Sequence, residues 1–347
     1  MNNARFCRII SCLCLALCLL AAGAEGLEGV SITITAVGDC TLGGLAFHPD
    51  SGQVQFEKYA EKYGYDYYLE NVRALFETDD FTVVNLEGPL TRANDAKAGG
   101  KFILRGSPEN VQILTGSSVE VCNVANNHAF DFRQAGFDET IETLRAADLG
   151  FCGYDIIHYA ECKGAIVGFV GFTEWDCTTE EMVAITQEAR AKCDLLIASY
   201  HGGVELTHEM TVQERINCQA IVDAGADLVI GNHSHVYGPI ERYKGKYMIA
   251  SLGNFCFGAN SRPKEFTCTI FQQTFTFDAD GNVVDVGINI IPALISTEKS
   301  TNNCQPVMMQ PGFTASNHIS TLLWLGNFKI NDVKWMENSF EVVNGLV

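Results

Sequence analysis

Three features of the sequence predict an α/β fold. Short apolar, β-branched runs alternate with segments of helical spacing from residue 31 to about residue 258, the pattern that builds strand–helix–strand units. One run after another ends on Asp, Glu, Asn or His, which places polar groups along one edge of a sheet. Beyond Gly258, two β-rich runs flank Asp278-Ala279-Asp280-Gly281, which predicts an antiparallel hairpin extending a sheet.

In order, residues 31–37 (SITITAV) read as a strand closing on Gly38-Asp39, 67–76 as a helix, and 81–85 (FTVVN) as a buried strand closing on Leu86-Glu87. Residues 110–114 read as helical, 118–125 as a strand running into Asn126-Asn127-His128, and 134–147 as an amphipathic helix. Then come a strand at 165–172 (AIVGFVGF), a helix ending at 187–191, and a strand at 195–200 (LLIASY) that stops at His201. A helix at 212–224 precedes a strand at 227–230, followed by Gly231-Asn232-His233-Ser234-His235; 247–251 is the last core strand. The hairpin takes 266–277 and 283–292, and 319–325 is a short helix in a stretch of mixed character. The domain reading is a segment 1–24 to be removed, a core over 30–258, and a β-rich extension over 259–347 packed on it.

The first 24 residues have the form of a processing signal. Arg5 and Arg8 precede an apolar run, residues 9–20, that is short for a membrane span, and Ala22-Gly23-Ala24 resembles a cleavage site. The expectation is an exported, extracellular or cell-envelope protein, with an uncleaved membrane anchor as the alternative. Cleavage takes the net charge from −19 to −21, because it removes two cations and no acid. Such a charge excludes nucleic acid as a partner, since phosphate backbones require clustered Lys and Arg. Arg242, Lys244 and Lys246 form the one evident basic cluster, close in sequence to the paired histidines. Ten cysteines lie beyond residue 24, an even number without any C-x-x-C spacing. Export favours one or two disulfides, whereas Cys122 and Cys256 lie in apolar runs where a thiol packs as a small hydrophobe.

The strand ends carry the chemistry. Asp39, Glu87, Asn127, His128, His201, His233 and His235 follow five different strands. Each has an ordinary alternative. Asp39 has the form of a helix N-cap, Glu87 and Asn127 of turn residues, and His201 of a plain strand-end histidine. Their recurrence at one edge argues for a shared site. Oxygen donors mixed with imidazole suit divalent Mn, Fe or Zn, and so many ligands suit two ions bridged by a carboxylate, an arrangement that activates water and orients a phosphoryl group.

The ordered motifs AVGDCTLGG (36–44), VVNLEGPLT (83–91), NVANNHAFDF (123–132), ASYHGGVE (198–205), GADLVIGNHSHVYGPIE (225–241) and IASLGNFCFG (249–258) resemble the CapA family. This is the capsule-synthesis group linked to poly-γ-glutamate, within the calcineurin-like metallophosphoesterase superfamily. The resemblance implies a four-layer α/β/β/α sandwich. It also implies roles: Asp39 and His235 on a first metal, Glu87 as bridging carboxylate, Asn127, His201 and His233 on a second metal, and His128 as the catalytic imidazole that contacts the phosphoryl group or protonates the leaving oxygen. The chain departs from the superfamily in two places. Cys40-Thr41 follows Asp39, so the imidazole of Asp-x-His is missing and the first site is expected to be the weaker. Cys40 faces away from Asp39 if the strand continues. Gly202 stands where the family often has Trp, which is expected to widen the pocket. Asp131 and Glu205 are either partners that orient the imidazoles or surface acids.

The implied activity is metal-dependent hydrolysis, with hydroxide held between two divalent ions as the nucleophile. The implied substrate is a phosphoester or an anionic polymer, and a membrane complex for polymer synthesis is the implied assembly. The alternatives are a polymer assembly or export factor with a structural or vestigial metal site, and a polymer-binding module without chemistry.

Overall fold

The computed structural model describes residues 26–47, 52–310, 312–326, 333–336 and 339–342. The expected processing signal lies outside the described residues. β1 (Ser31–Thr41) leads through β2 (Gly44–Leu45) to α1 (Gly52–Tyr63), α2 (Glu70–Phe76) and β3 (Phe81–Leu86). β4 (Leu104–Arg105), α3 (Val111–Thr115), β5 (Val121–Asn123), α4 (Arg133–Ala146) and β6 (Gly150–Cys152) follow. Next come β7 (His158–Cys162), β8 (Ala165–Thr173), α5 (Thr179–Arg190), β9 (Leu195–His201), α6 (Val212–Asp223), β10 (Leu228–Asn232), β11 (Ile240–Tyr243) and β12 (Lys246–Ile249). The remainder is β13 (Asn254–Phe257), β14 (Thr267–Phe277), β15 (Val283–Leu294), β16 (Val307–Met308), α7 (Phe313–Leu325), β17 (Val333–Met336) and β18 (Ser339–Val342).

Two sheets face each other. The first runs β17-β18-β15-β14-β1-β3-β5-β6, and the second β11-β12-β10-β9-β8-β7. Between them lie the inward residues of both: Ile32, Ile34 and Val83 from one sheet, Val167, Ile197 and Ile230 from the other. The outer face of the first sheet buries Val84, Leu86 and Cys122 against Tyr68, Val72, Ile113 and Leu144 of the chain around α2 to α4. The outer face of the second buries Val170, Ala198 and Val229 against Met182, Ile221 and Val222 of α5 and α6. This is the α/β/β/α sandwich, and the hairpin β14–β15 extends the first sheet by pairing β14 antiparallel to β1.

Period-two alternation explains the inter-sheet core, and one break in it aims the site. Along β1, Ile32, Ile34 and Ala36 face the second sheet, while Val37 and Cys40 face the helices. The register against β3 slips between Ala36 and Asp39, so three residues of β1 cover two of β3. A bulge of this kind re-aims the side chain that follows it. Gly38 permits it: a Cβ there would lie 1.8 Å from Gly253 O, the atom that accepts the Asp39 N–H at 2.9 Å. Cys40 is accordingly buried among apolar side chains, as the sequence predicts.

Some elements differ from the sequence expectation. α1, β6, β7, β11 and β13 carry no apolar run long enough to announce them: β6 has three residues, β11 and β13 four, and β7 (HYAEC) is a half-exposed edge. The helix expected to end at 187–191 begins at Thr179, where Thr178 and Glu181 form a capping box, a signal present in the sequence. The helix expected at 319–325 begins at Phe313 and closes the sandwich edge against β15 and β11.

The sole histidine of α7, His318, is 4 % exposed, hydrogen-bonded through Nε2 to Thr269 Oγ1 at 2.9 Å, with its ring 4.2 Å from that of Tyr237. Burial, and secondarily His208, push its pKa down from 6.5 to about 4. The unfolded chain therefore takes up the proton first on acidification, and the stability held by neutral His318 is lost as pH falls from 6.5 towards 4. We expect that loss to reach about 3 kcal/mol. Urea unfolding of His318→Gln and wild type across this range checks it: the gap between them should shrink with acidification, and a constant gap would contradict the assignment.

Candidate metal centre

Lateral register gathers the polar residues into two rows at the strand ends. In the first sheet Asp39 stands beside Asn85 on one side and Asn254 on the other, and Asn85 beside Asn123. In the second sheet His201 stands between Thr173 and Asn232. Asn123 Nδ2 donates to Asn85 Oδ1, and Asn85 Nδ2 donates to Asp39 Oδ1, both at 2.8 Å. Asn85 Nδ2 also lies 3.2 Å from His201 Nδ1, which joins the two rows across the sandwich.

Asp39, Glu87 and His235 bring one ligand atom each within 4.8 Å of one another. His235 Nδ1 donates to Asn254 Oδ1 at 3.0 Å and lies 3.2 Å from Asp39 Oδ2, leaving Nε2 towards Glu87 Oε1 at 3.9 Å. Burial disfavours the charged imidazole, yet Glu87 and Asp39 outweigh it and hold the His235 pKa up at about 10. Burial, reinforced by Asp39, raises Glu87 to about 7. Burial acts against ionised Asp39 too, but its hydrogen bond to His235 and the surrounding imidazoles leave it below the usual carboxylate value. Both carboxylate oxygens of Glu87 are buried and accept no hydrogen bond among the described residues.

The other expected ligands adjoin this group. His201 is fully buried, with Nε2 at 2.9 Å from Asn127 Oδ1 and Nδ1 at 4.0 Å from Asp39 Oδ1. The His233 ring lies 5.0 Å from that of His201 and 6.1 Å from that of His235, and its buried Nδ1 makes no hydrogen bond among the described residues. Burial depresses both, His201 well below the ordinary value and His233 to about 4, so both are neutral imidazoles. His233 and His235 adopt φ of 102° and 59°. Non-glycine residues rarely take such angles, and each costs roughly 1–3 kcal/mol where the surroundings enforce it. The backbone is thus bent twice in three residues to turn both rings into one space.

His128 occupies the opposite wall. Its Nδ1 donates to Asp131 Oδ2 at 2.7 Å, and its Nε2 stands 3.9 Å from Glu87 Oε1. Asp131 is fully buried, pairs with Lys97 Nζ at 2.5 Å and accepts the Leu104 N–H at 2.6 Å. It is therefore a partner that orients an imidazole, not a surface acid. Glu205 is exposed and lines the cleft over the group.

Asp39 and His235, in the half expected to be weaker for lack of an imidazole, converge with Glu87, held by Asn254 and the bulge. The structure corrects three other expectations. Gly202 opens no space: a Cβ there would meet Glu174 Oε2 at 2.5 Å, and Trp175 sets its ring 4.6 Å from that of His233. The basic cluster is at the other end of the strands. β12 runs parallel to β10, with Lys246 bonded to Asp227 just before β10, and Lys244 bonded to Asp223 of α6. The ten cysteines beyond residue 24 are all free thiols, and burial raises Cys40 to about 12. Asn85, Asn123, Asn254 and Trp175 were not singled out in the sequence. Asn123 ends β5, Asn85 is the last residue but one of β3 and Asn254 opens β13, and such strand-end positions are the signal the sequence offers, whereas nothing local marks Trp175.

The donor set fits a divalent metal. A buried glutamate without hydrogen-bond partners, a second carboxylate and neutral imidazoles supply oxygen and nitrogen lone pairs, with no thiolate among them. Asp39, Glu87 and His235 would hold one ion.

Among proteins of known sequence, the chain is 30% identical over 225 residues to the PGA biosynthesis protein CapA of Bacillus subtilis (strain 168), covering 58% of this chain and 59% of that one. It is 29% identical over 259 residues to the capsule biosynthesis protein CapA of Bacillus anthracis, covering 66% and 61%. The matches thus span about three fifths of these relatives' length. A solved structure titled as a novel phosphatase of Mycoplasma pneumoniae aligns with TM-score 0.46 at 13% identity, covering 79% of this chain and 95% of that one. The bacterial capsule synthesis protein PGA_cap model matches residues 33–259, more than half of the chain and all of the strand ends described above, and the chain belongs to that family.

Proposed function

We propose that this chain is an exported, metal-dependent phosphoester hydrolase that serves the synthesis of an anionic capsule polymer such as poly-γ-glutamate. One observation carries the hydrolase reading: Glu87 is buried with neither oxygen hydrogen-bonded among the described residues, between the imidazoles of His128 and His235. A buried carboxylate that accepts no hydrogen bond is costly unless cationic charge is held close to it. Two divalent ions, Mn, Fe or Zn, bound to Asp39, Glu87, Asn127, His201, His233 and His235 would supply Lewis-acid activation of water and of the phosphoryl group. Export rests on the form of residues 1–24, and the polymer on the names of the relatives.

The chain's own residues divide the remaining work. Asp131 accepts the Nδ1 proton of His128 and so directs Nε2 into the cleft, where it can pass a proton to a leaving oxygen. Lys97 neutralises Asp131 and donates to Asn127 O at 3.1 Å, which ties the orientation of His128 to the position of Asn127. Asn85 and Asn254 hold Asp39 and His235.

The second reading is an assembly or export factor that uses the site structurally, and the relatives' names favour it. Turnover decides between them. On a panel of phosphomonoesters and phosphodiesters, Mn²⁺-loaded protein should show metal-dependent turnover. His128→Ala should lower kcat/KM by about 10²-fold or more, with Asp131→Asn in between. No turnover above the metal-free control on any of them would favour the assembly role.

The site also predicts a thermal signature. Glu87→Gln removes a buried charge, so the metal-free variant should melt no lower than wild type at pH 8. Mn²⁺ should raise the melting temperature of wild type by several degrees and that of the variant by clearly less. Scanning fluorimetry with and without Mn²⁺ reads this, and an equal shift in both proteins would remove Glu87 from the ligand set.

A further inference from the structure

A cleft of about 410 Å³ opens over Glu87, His128 and His235. Its walls are uneven. Leu45, Phe102, Leu104, Leu206 and Phe257 line it, and the Phe257 ring begins the apolar side 5.0 Å from the ring of His235. Phe102 and Leu206 are 47% and 48% exposed, large apolar side chains standing in the open beside a polar centre. Leu206 is held there at φ 60°, a conformation rare for leucine, with its N–H bonded to Ser234 O at 2.8 Å, between the two bent histidines. Strain kept at such a position marks a side chain whose placement matters. The charges of the cleft run against a polyanion: Glu205 and Glu265 join Glu87, with Lys264 as the cleft's lysine.

We infer that the cleft takes a phosphoester with a single anionic head at Glu87, His128 and His235 and an apolar arm along Phe257, Leu206 and Phe102, rather than an extended polyanion. This rests on the phosphoester reading above and names its substrate class. An apolar arm removes the exposed Phe102 and Leu206 surface from water. A chain repeating negative charge would meet Glu205 and Glu265 at each step.

Equilibrium binding to the Mn²⁺-loaded full chain tests this by calorimetry, with methylphosphonate, hexylphosphonate, phenylphosphonate and a short γ-linked glutamate oligomer as probes. With part of the arm buried, hexyl- or phenylphosphonate should bind about tenfold tighter than methylphosphonate. That ratio should fall towards one in Phe102→Ser and Leu206→Ser, both exposed enough to change without disturbing the core. A preference for hexyl identifies an aliphatic arm, a preference for phenyl a planar one, and either supports the inference. Equal affinities for all three phosphonates, a ratio unchanged in both variants, or tighter binding of the glutamate oligomer would overturn it while leaving the phosphoester site intact. Metal-loaded protein that binds no phosphonate at all would instead remove the phosphoester reading, and this inference with it.

Discussion

The site depends on one buried carboxylate shared between two sheets. Asp39 lies near the end of β1 in the first sheet, and its Oδ1 accepts from Asn85 Nδ2 of the same sheet. From the loop after β10 in the second sheet come His235 Nδ1 and, at 3.4 Å, the His233 N–H. A charge without solvent is stable only where such donors converge, so the carboxylate fixes how the strand ends approach one another. The bulge at Gly38 and the bond from Asp39 N to Gly253 O aim it. The two left-handed histidines are the strained counterpart on the other side. Their φ angles are tolerable because Asp39, Asn254 and the rings of His201 and Trp175 hold the loop from several directions.

The two halves of the centre are furnished differently. Around Asp39, Glu87 and His235, charges dominate: an imidazole held protonated by two carboxylates faces the open cleft. Around His201 and His233, burial dominates: both rings are neutral, and Trp175 stands edge-on against them. On the proposed reading, a divalent cation would take the place of the proton in the first half, and a second would meet ready lone pairs in the other. The charged half opens onto the cleft whose other wall is apolar, lined by Phe257, Leu206 and Phe102.

Much of this was legible in the sequence because buried parallel strands are apolar runs with abrupt polar ends. The runs ending at Asp39, Glu87, His201 and His233 declared both the sheet and its functional edge. Asn85 and Asn254 were less legible, since an asparagine at a strand end serves a turn as readily as a buried hydrogen bond, and only lateral register distinguishes the two. The basic residues 242–246 misled because closeness in sequence to His235 says nothing of direction: β11 carries the chain back along the sheet, and β12 starts again at the far end. Gly202 misled for a similar reason. The residues that fill its neighbourhood, Glu174 and Trp175, come from the end of another strand.

The central claim is that Asp39, Glu87 and His235 ligate a divalent metal. Crystals grown with Mn²⁺ and measured near the manganese absorption edge test it most directly. The account predicts an anomalous peak about 2.2 Å from an oxygen of Asp39, an oxygen of Glu87 and His235 Nε2. A second peak should lie between His201 and His233. Well-ordered density for these side chains with no anomalous peak among them, in protein exposed to excess Mn²⁺, would contradict it.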